Sequence, residues 1–307
     1  MPRFDVTVAG ELNLDLILYG LPAELPPEHE ALADRMMLTL GSSSAIVAHN
    51  LACLGSNVGF QSRIGDDALG QIALDHLAAG GVDVSRVRKV PGATKTALTV
   101  VLQRDGWRNM VTYSGTIVEL TQQDLDLAAL ADSRHFHLSS YYLQKGIQPQ
   151  VAKLLQRLKA AGLTISLDTN DDPDDRWDGG LLGVLKYVDV FLPNAREAMK
   201  ITRTDNLEAA LSQLAAMVPT VVVKLGPEGA IAQRGKEKVK SPGLKVDCVD
   251  AVGAGDSFDA GFLHQFVRGA GLAACLLHGN RAGAFSTTRP GGTEAFRDRA
   301  YRQSFFG

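Results

Sequence analysis

Cysteine is scarce in this 307-residue chain. Cys53, Cys248 and Cys275 are odd in number, widely spaced and without a CxxC pair, which argues against a disulfide framework or a cysteine zinc site and fits a reducing cytoplasm. An excess of one charge is lacking too. The formal net charge is -3, from 31 Lys and Arg against 34 Asp and Glu, so there is no basic footprint for nucleic acid and no polybasic patch for a membrane. No apolar run approaches the length of a membrane span. The opening "MPRFDVTVAG" carries Arg3 and Asp5 where a signal peptide would need its apolar centre. Repeats, low-complexity tracts and Pro/Ser linkers are also missing, so nothing marks off independent domains. What is present is 45% apolar and 21% charged residues, enough for a large α/β core whose expected partner is a small molecule.

Short β-branched runs alternate with helical patterns, the signature of βαβ units and a mostly parallel sheet covered on both faces. The expected strands are "FDVTVAG", "HFHLS", "LTISLDT", "VDVFLP" and "TVVVKLG". Among the helices, "QVAKLLQRLKAAG" repeats Val151, Leu154, Leu155 and Leu158 at helical spacing before Gly162 stops it. Two segments, about 12–40 and 94–116, change character. The second, "TKTALTVVLQRDGWRNMVTYSGT", alternates around Asp105-Gly106 as a hairpin does. Both are read as a small antiparallel sheet added as a lid to a single domain spanning 1–307.

The stretch "DAVGAGDSFDAG" concentrates the chemistry. A glycine turn, Gly253-Ala254-Gly255, runs into a helix in which Phe258, Phe262 and Phe266 share a face and Gly269 offers a stop. The first amides of a helix lack intrahelical partners and sit at its positive end, and the small residues allow close approach, so the turn reads as a phosphate hole. Asp256 there has two readings. It compensates the helix dipole or caps it, or it takes a proton from a nucleophile that attacks the phosphate.

In this context "DAVGAGDSFDAG" resembles the C-terminal signature of the ribokinase-like (PfkB) carbohydrate kinases. The rest of the chain follows that plan in order: "VAGELNLDLI", "GSSSAIVAHNLACLG", "IGDDALGQ", "LPNAREA" and "VKLGPEGA". The resemblance implies a three-layer α/β/α fold with a β lid, and ATP-dependent phosphorylation of a sugar hydroxyl. It makes Asp256 the base, with Gly253, Ala254 and Gly255 stabilising the transferring phosphoryl group. Asn13 and Asp15 would contact the sugar, with Gly41, Ser42, Ser43 and Asn50. Lys224, Gly226, Gly229, Asn280 and Gly283 would lie beside the nucleotide, although Lys224 reads equally as a solvated strand-end lysine. Asn194 and Glu197 would act through magnesium and its waters, or they are the cap and third residue of a helix start. A monovalent cation such as potassium would sit on backbone carbonyls near Asp250, Val252 and the 286–291 loop. A lid sheet with an open edge implies a homodimer.

The sugar side departs from the family. Ile46 stands where many relatives carry an amide for sugar hydroxyls, Asn50 lies one turn further on the same face, and Ser42, Ser43 and Ser44 either add hydroxyls or cap the helix. Free ribose is therefore not the expected acceptor. In "LDTNDDPDDRW", Asp168, Asn170 and Arg176 are expected near the sugar or phosphates and Asp171 to Asp175 in a solvated loop. His49, His135 and His137 show no metal-ligand clustering. A nicotinamide dehydrogenase would need Gly-x-Gly-x-x-Gly after the first strand, where only Gly10 stands. A nucleoside kinase of the same fold and a non-catalytic sugar-binding protein remain as alternatives.

Overall fold

A computed structural model describes residues 2–104 and 107–307. The Asp105-Gly106 turn read from the sequence lies outside the described residues. In chain order the strands are β1 (Phe4–Ala9), β2 (Leu14–Tyr19), β3 (Arg35–Leu40), β4 (Val58–Gly65), β5 (Asp83–Val90), β6 (Leu98–Arg104), β7 (Trp107–Tyr113), β8 (Ser133–Leu138), β9 (Thr164–Leu167), β10 (Val190–Phe191), β11 (Thr220–Lys224), β12 (Ala230–Arg234) and β13 (Glu237–Ser241).

Nine of them form one sheet in the order β13-β12-β11-β10-β9-β8-β1-β4-β5. It is parallel from β5 to β11, with β12 and β13 antiparallel at one edge. Its central strands read as continuous apolar runs because both faces are buried. Val221 and Val223 point into one core and Val222 into the other. One helical layer includes Val151–Ala160, Ala195–Thr202 and Leu207–Ala215; the other includes Ser43–Cys53, Ala68–Ala79, Ala254–Phe266 and Leu272–Ser286. The expected three layers are present. The Val151–Ala160 helix buries Val151, Leu154, Leu155 and Leu158, and Gly162 follows it at φ +91°, a conformation that glycine adopts without a Cβ penalty. No helix among the described residues is long and apolar enough to cross a membrane.

The remaining four strands make a second sheet, β3-β2-β6-β7. Its outer pairs are antiparallel, as expected, while the central β2–β6 pair runs parallel. The two halves, β2–β3 and β6–β7, come from distant parts of the chain, and each follows a strand of the large sheet, β1 and β5. Ile17, Tyr19 and Val101 form a small core with Met37. Tyr19 bonds Asp250 at 3.1 Å and so ties this sheet to the turn before the Ala254–Phe266 helix.

Candidate active site

That helix begins at Gly253, which has φ +70° and no side-chain cap. A Cβ there would fall 2.6 Å from Gly292 Cα and 3.1 Å from Ile46 Cδ1, so both the backbone angle and the packing require glycine. Among the described residues the amides of Gly255 and Asp256 have no acceptor, while Ser257 N already bonds Gly253 O. Two open N–H groups thus stand at the positive end of a helix.

Asp256 is buried beside them. Burial pushes its carboxyl up to about 7, Asp168 adds to the rise, and Lys224 and a hydrogen bond from Ser43 oppose it. Asp15 is also raised to about 7, first by burial and then by the charges of Asp256 and Asp250, with Arg108 of β7 opposing. Burial is the main cause in both, and the charge of Asp256 adds to the rise at Asp15. Gly41 makes room for Asp15: a Cβ at Gly41 would meet Asp15 Oδ1 at 2.1 Å. Asn13 is buried next to them, donating to Leu14 O at 3.1 Å.

Lys224 ends β11, and it is not a solvated lysine. Its Nζ donates to Asp168 Oδ2 at 2.6 Å and lies 3.3 Å from both oxygens of Asp259. Burial disfavours the ammonium, yet Asp168, Asp259 and Glu197 outweigh that and hold its pKa well above the ordinary lysine value. Asp168 is correspondingly held low against its burial, and Asp259 is pushed well up by burial. The ammonium lies directly behind the open amides, since a Cβ on Gly255 would be 3.5 Å from Nζ.

Beside the turn lies a cavity of about 500 Å³. Lys224, Gly226, Gly229, Asn280 and Gly283, all expected beside a nucleotide, line it together with Ala254 and Gly255. Pro227, Leu244, Val246, Phe258 and Ala284 give it apolar walls. Its size and mixed lining suit a cofactor-sized ligand. Gly229 has φ +100°, and its Cβ would strike Ser241 O at 2.1 Å. The Asn280 amide faces inward, donating to Ser241 O at 3.1 Å and Pro242 O at 3.0 Å; it shapes the 241–242 loop.

The chain matches the pfkB family carbohydrate kinase over residues 3–299. It belongs to that family. It is a phosphotransferase with an alcohol acceptor. An ATP-dependent ribose-1-phosphate kinase of Halopiger xanaduensis is 30% identical over 293 residues, covering 94% of each chain. A putative ribokinase II of E. coli, solved with ATP and Mg²⁺, superposes with a TM-score of 0.85 at 25% identity over 98% of each chain. Adenosine kinase from Sinorhizobium meliloti shares the fold, with a TM-score of 0.86 at 24% identity over 98% of this chain and 99% of that one.

Several expected residues in this kinase do other work. The Asn50 side chain is taken up by protein partners. It is fully buried, donating to Ser257 Oγ and Gly292 O at 3.0 Å each and bonding His49 at 2.8 Å. Its helix face packs on the glycine turn, so the amide joins two helices. Ile46, on the same face, is buried against Gly253 and Gly292; it supports the turn from behind. Ser42 caps its helix at φ +67° and donates to Glu11 O, and Ser44 donates to Glu11 Oε2 at 2.7 Å. Asn194 and Glu197 form a reciprocal capping box. Glu197 is nevertheless buried near the site and raised to about 7 by burial and by Asp168. Asp250 binds Val252 N and Gly291 N, each at 3.0 Å. Arg176 lines a different groove, with Trp177 and Arg203. Asp172 is buried and accepts from Arg176 N and Trp177 N, so the acidic run is an organised turn around one aspartate. His49, His135 and His137 are fully buried and lowered by burial to about 4, 3 and 4, which fits structural histidines.

Sequence reasoning missed Glu11, Ser140, Asp259 and Arg108. Glu11 lies in the same stretch as Asn13 and Asp15, and Asp259 is one turn beyond Asp256 in its helix. That spacing was the available signal.

Proposed function

We propose that this protein transfers the γ-phosphoryl group of ATP to a primary hydroxyl of a sugar or sugar derivative. The observation that carries this reading is Asp256, buried at the open amides between a nucleotide-sized cavity and Asp15. In this reading the acceptor hydroxyl hydrogen-bonds Asp256. Its oxygen forms the new P–O bond as the bond from the γ-phosphorus to the β-phosphate oxygen breaks, ADP leaves, and the proton passes to Asp256. The amides of Gly255 and Asp256, backed by Lys224, hold charge on the transferring group. Asn13 and Asp15 orient the acceptor.

Magnesium fits as a partner of the nucleotide. Among the described residues no cluster of three His, Cys, Asp or Glu forms a metal cage, and a hard cation that keeps its waters needs only one or two carboxylates plus phosphates. Glu197, raised to about 7, together with Asn194, is the carboxylate side of that arrangement. When bound, magnesium neutralises phosphate charge. For a monovalent cation such as potassium, the carbonyls of Asp250 and Val252, which accept no hydrogen bond among the described residues, are the ligands in this reading. Three free cysteines fit a cytoplasmic setting. The small sheet acts as a lid and as a homodimer contact, because its edge strands leave Met36 65% and Met110 and Val111 each 61% exposed; a sedimentation run giving only monomer at high concentration would remove the dimer.

The test of function is ATP consumption across pentoses, hexoses, sugar acids, sugar phosphates and nucleosides. Turnover with a sugar that disappears in Asp256→Asn supports the reading. Turnover with nucleosides alone would make this a nucleoside kinase. Sugar binding without ATP consumption would make it a non-catalytic binding protein.

A further inference from the structure

The small sheet meets the main domain through one face and two buried hydroxyls. On β2, Asp15, Ile17 and Tyr19 share a side because side chains alternate along a strand, and β3 sets Thr39 directly opposite Asp15 on that same side. Asp15, Ile17, Tyr19 and Thr39 are all buried. Tyr19 Oη donates to Asp250 Oδ2 at 3.1 Å; the same oxygen accepts from Gly291 N at 3.0 Å, and Asp250 Oδ1 accepts from Val252 N at 3.0 Å. Thr39 Oγ1 donates to Glu294 Oε1 at 2.8 Å, an oxygen that Arg297 also holds at 3.0 Å. Both ties converge on one loop. A Cβ on Gly291 would fall 2.9 Å from Thr39 Cγ2, and a Cβ on Gly292 would fall 3.2 Å from Gly253 Cα. Gly292 O in turn accepts from Asn50 Nδ2 at 3.0 Å. A continuous line of contacts thus runs from the small sheet through Gly291 and Gly292 to Gly253, the residue that aims the open amides. Close-packed contacts have little slack, so a shift of the sheet is felt at the turn.

We infer that Tyr19 and Thr39 are positioning residues: through Asp250 and Glu294 they dock the small sheet on the 291–292 loop, and so hold Asp15, with the acceptor it orients, in line with the amides of the glycine turn. They act without touching the substrate. The inference deepens the kinase reading and rests on it. Neither hydroxyl is needed to build the sheet. The β2–β3 ladder runs from Leu14 opposite Leu40 to Tyr19 opposite Arg35 on backbone pairing alone. The Tyr19 ring keeps its place through Ile17 and Val101 and through the Arg35 guanidinium, 4.3 Å from its centroid. The two hydroxyls therefore serve the docking of one sheet on the other part of the site, where small misplacements of reacting groups are costly.

The test takes Tyr19→Phe, Thr39→Val and the double variant in the full chain, with Asp256→Asn alongside and ATP with the best acceptor of the panel as substrates. Both single changes delete a hydroxyl and keep the shape of the side chain, and Thr39→Val reads the second tie by itself should Tyr19→Phe fold poorly. Each is expected to lower kcat about tenfold and the double variant about a hundredfold, the scale of a misplaced reacting group. The KM for ATP should stay within about twofold, because neither residue lines the nucleotide cavity. Amide hydrogen exchange adds a readout that needs no turnover. In Tyr19→Phe the 249–255 and 288–293 segments, whose Val252 and Gly291 amides bond Asp250, should exchange faster while β8, β9 and β11 keep the parent rates. Parent kcat in the double variant, with Asp256→Asn still inactive, overturns the inference and leaves the kinase reading in place. So does an unchanged exchange pattern, or faster exchange spread over the whole protein in step with lost stability. Full turnover by Asp256→Asn overturns the kinase reading and the inference with it.

Discussion

Lys224 Nζ lies 2.6 Å from Asp168 and 3.3 Å from Asp259, so one ammonium serves two fully buried carboxylates behind the open amides of the glycine turn. Lys224→Met leaves Asp168 charged, buried and unpaired, which should destabilise the fold by about 3–5 kcal/mol. Denaturant unfolding at pH 8 measures this. Lys224→Met with Asp168→Asn should recover part of the loss, since no uncompensated charge remains. A single variant as stable as the parent would mean that water reaches the group.

The two raised carboxyls give stability an unusual slope. Asp15 and Asp256 both move from 3.8 to about 7 on folding, so between those values the native state holds more protons than the unfolded one. Stability contributed by these groups is therefore greatest below about pH 4 and is lost as pH rises through 7. Asp15→Asn removes one of the two charges and should raise stability at pH 8 by about 1–3 kcal/mol with little change near pH 4. Unfolding curves at the two pH values check the sign. Activity should run the other way, rising through about pH 7 as Asp256 loses its proton.

Asp256→Asn should keep ATP binding and lower turnover by two or more orders of magnitude, roughly what a positioned base contributes. Isothermal titration with a non-hydrolysable ATP analogue separates the two effects. Near-parent turnover would return Asp256 to compensation of the helix dipole.

Gly253→Ala places a methyl 2.6 Å from Gly292 Cα at a φ of +70°. Strain of this kind costs about 1–3 kcal/mol, and a shifted turn misaims the amides of Gly255 and Asp256. A turnover loss of about a hundredfold is expected, larger than the change in ATP affinity. Steady-state kinetics beside thermal unfolding distinguishes misaiming from unfolding.

The parallel core was legible because strands buried on both faces carry unbroken apolar runs, as in "TVVVKLG", and the Ala254–Phe266 helix announced itself by glycines and spaced phenylalanines. The nucleotide side was legible for a related reason. Gly226, Gly229 and Gly283 answer to backbone geometry and close approach, which position in the chain reveals. The sugar side was harder to read. Asn50 and Ile46 lie on one helix face as expected, but that face meets Gly253 and Gly292, and helical spacing does not say what a face packs against. Asn170 and Ser140 come together from turns after different strands, a meeting that neither local sequence announces.

The acceptor can now be argued from other residues than Ile46. Since Ile46 packs behind the turn, Ile46→Asn would push an amide against Gly253 and Gly292, so it should lower stability and should not improve ribose as a substrate. The charge on the acceptor side is informative instead. The charge of Arg108, on the small sheet, opposes the rise of the Asp15 carboxyl, so a cation acts within electrostatic reach of the carboxylate that would hold the sugar. A neutral pentose has no use for that charge, whereas a phosphate or carboxylate on the sugar does. A sugar acid or sugar phosphate is therefore expected to exceed free ribose in kcat/KM by tenfold or more. Arg108→Met should raise KM about tenfold or more for the anionic acceptor and leave KM for neutral sugars within about twofold. Should free ribose be the best acceptor, or should Arg108→Met affect neutral and anionic sugars alike, the acceptor is recognised through its hydroxyls alone.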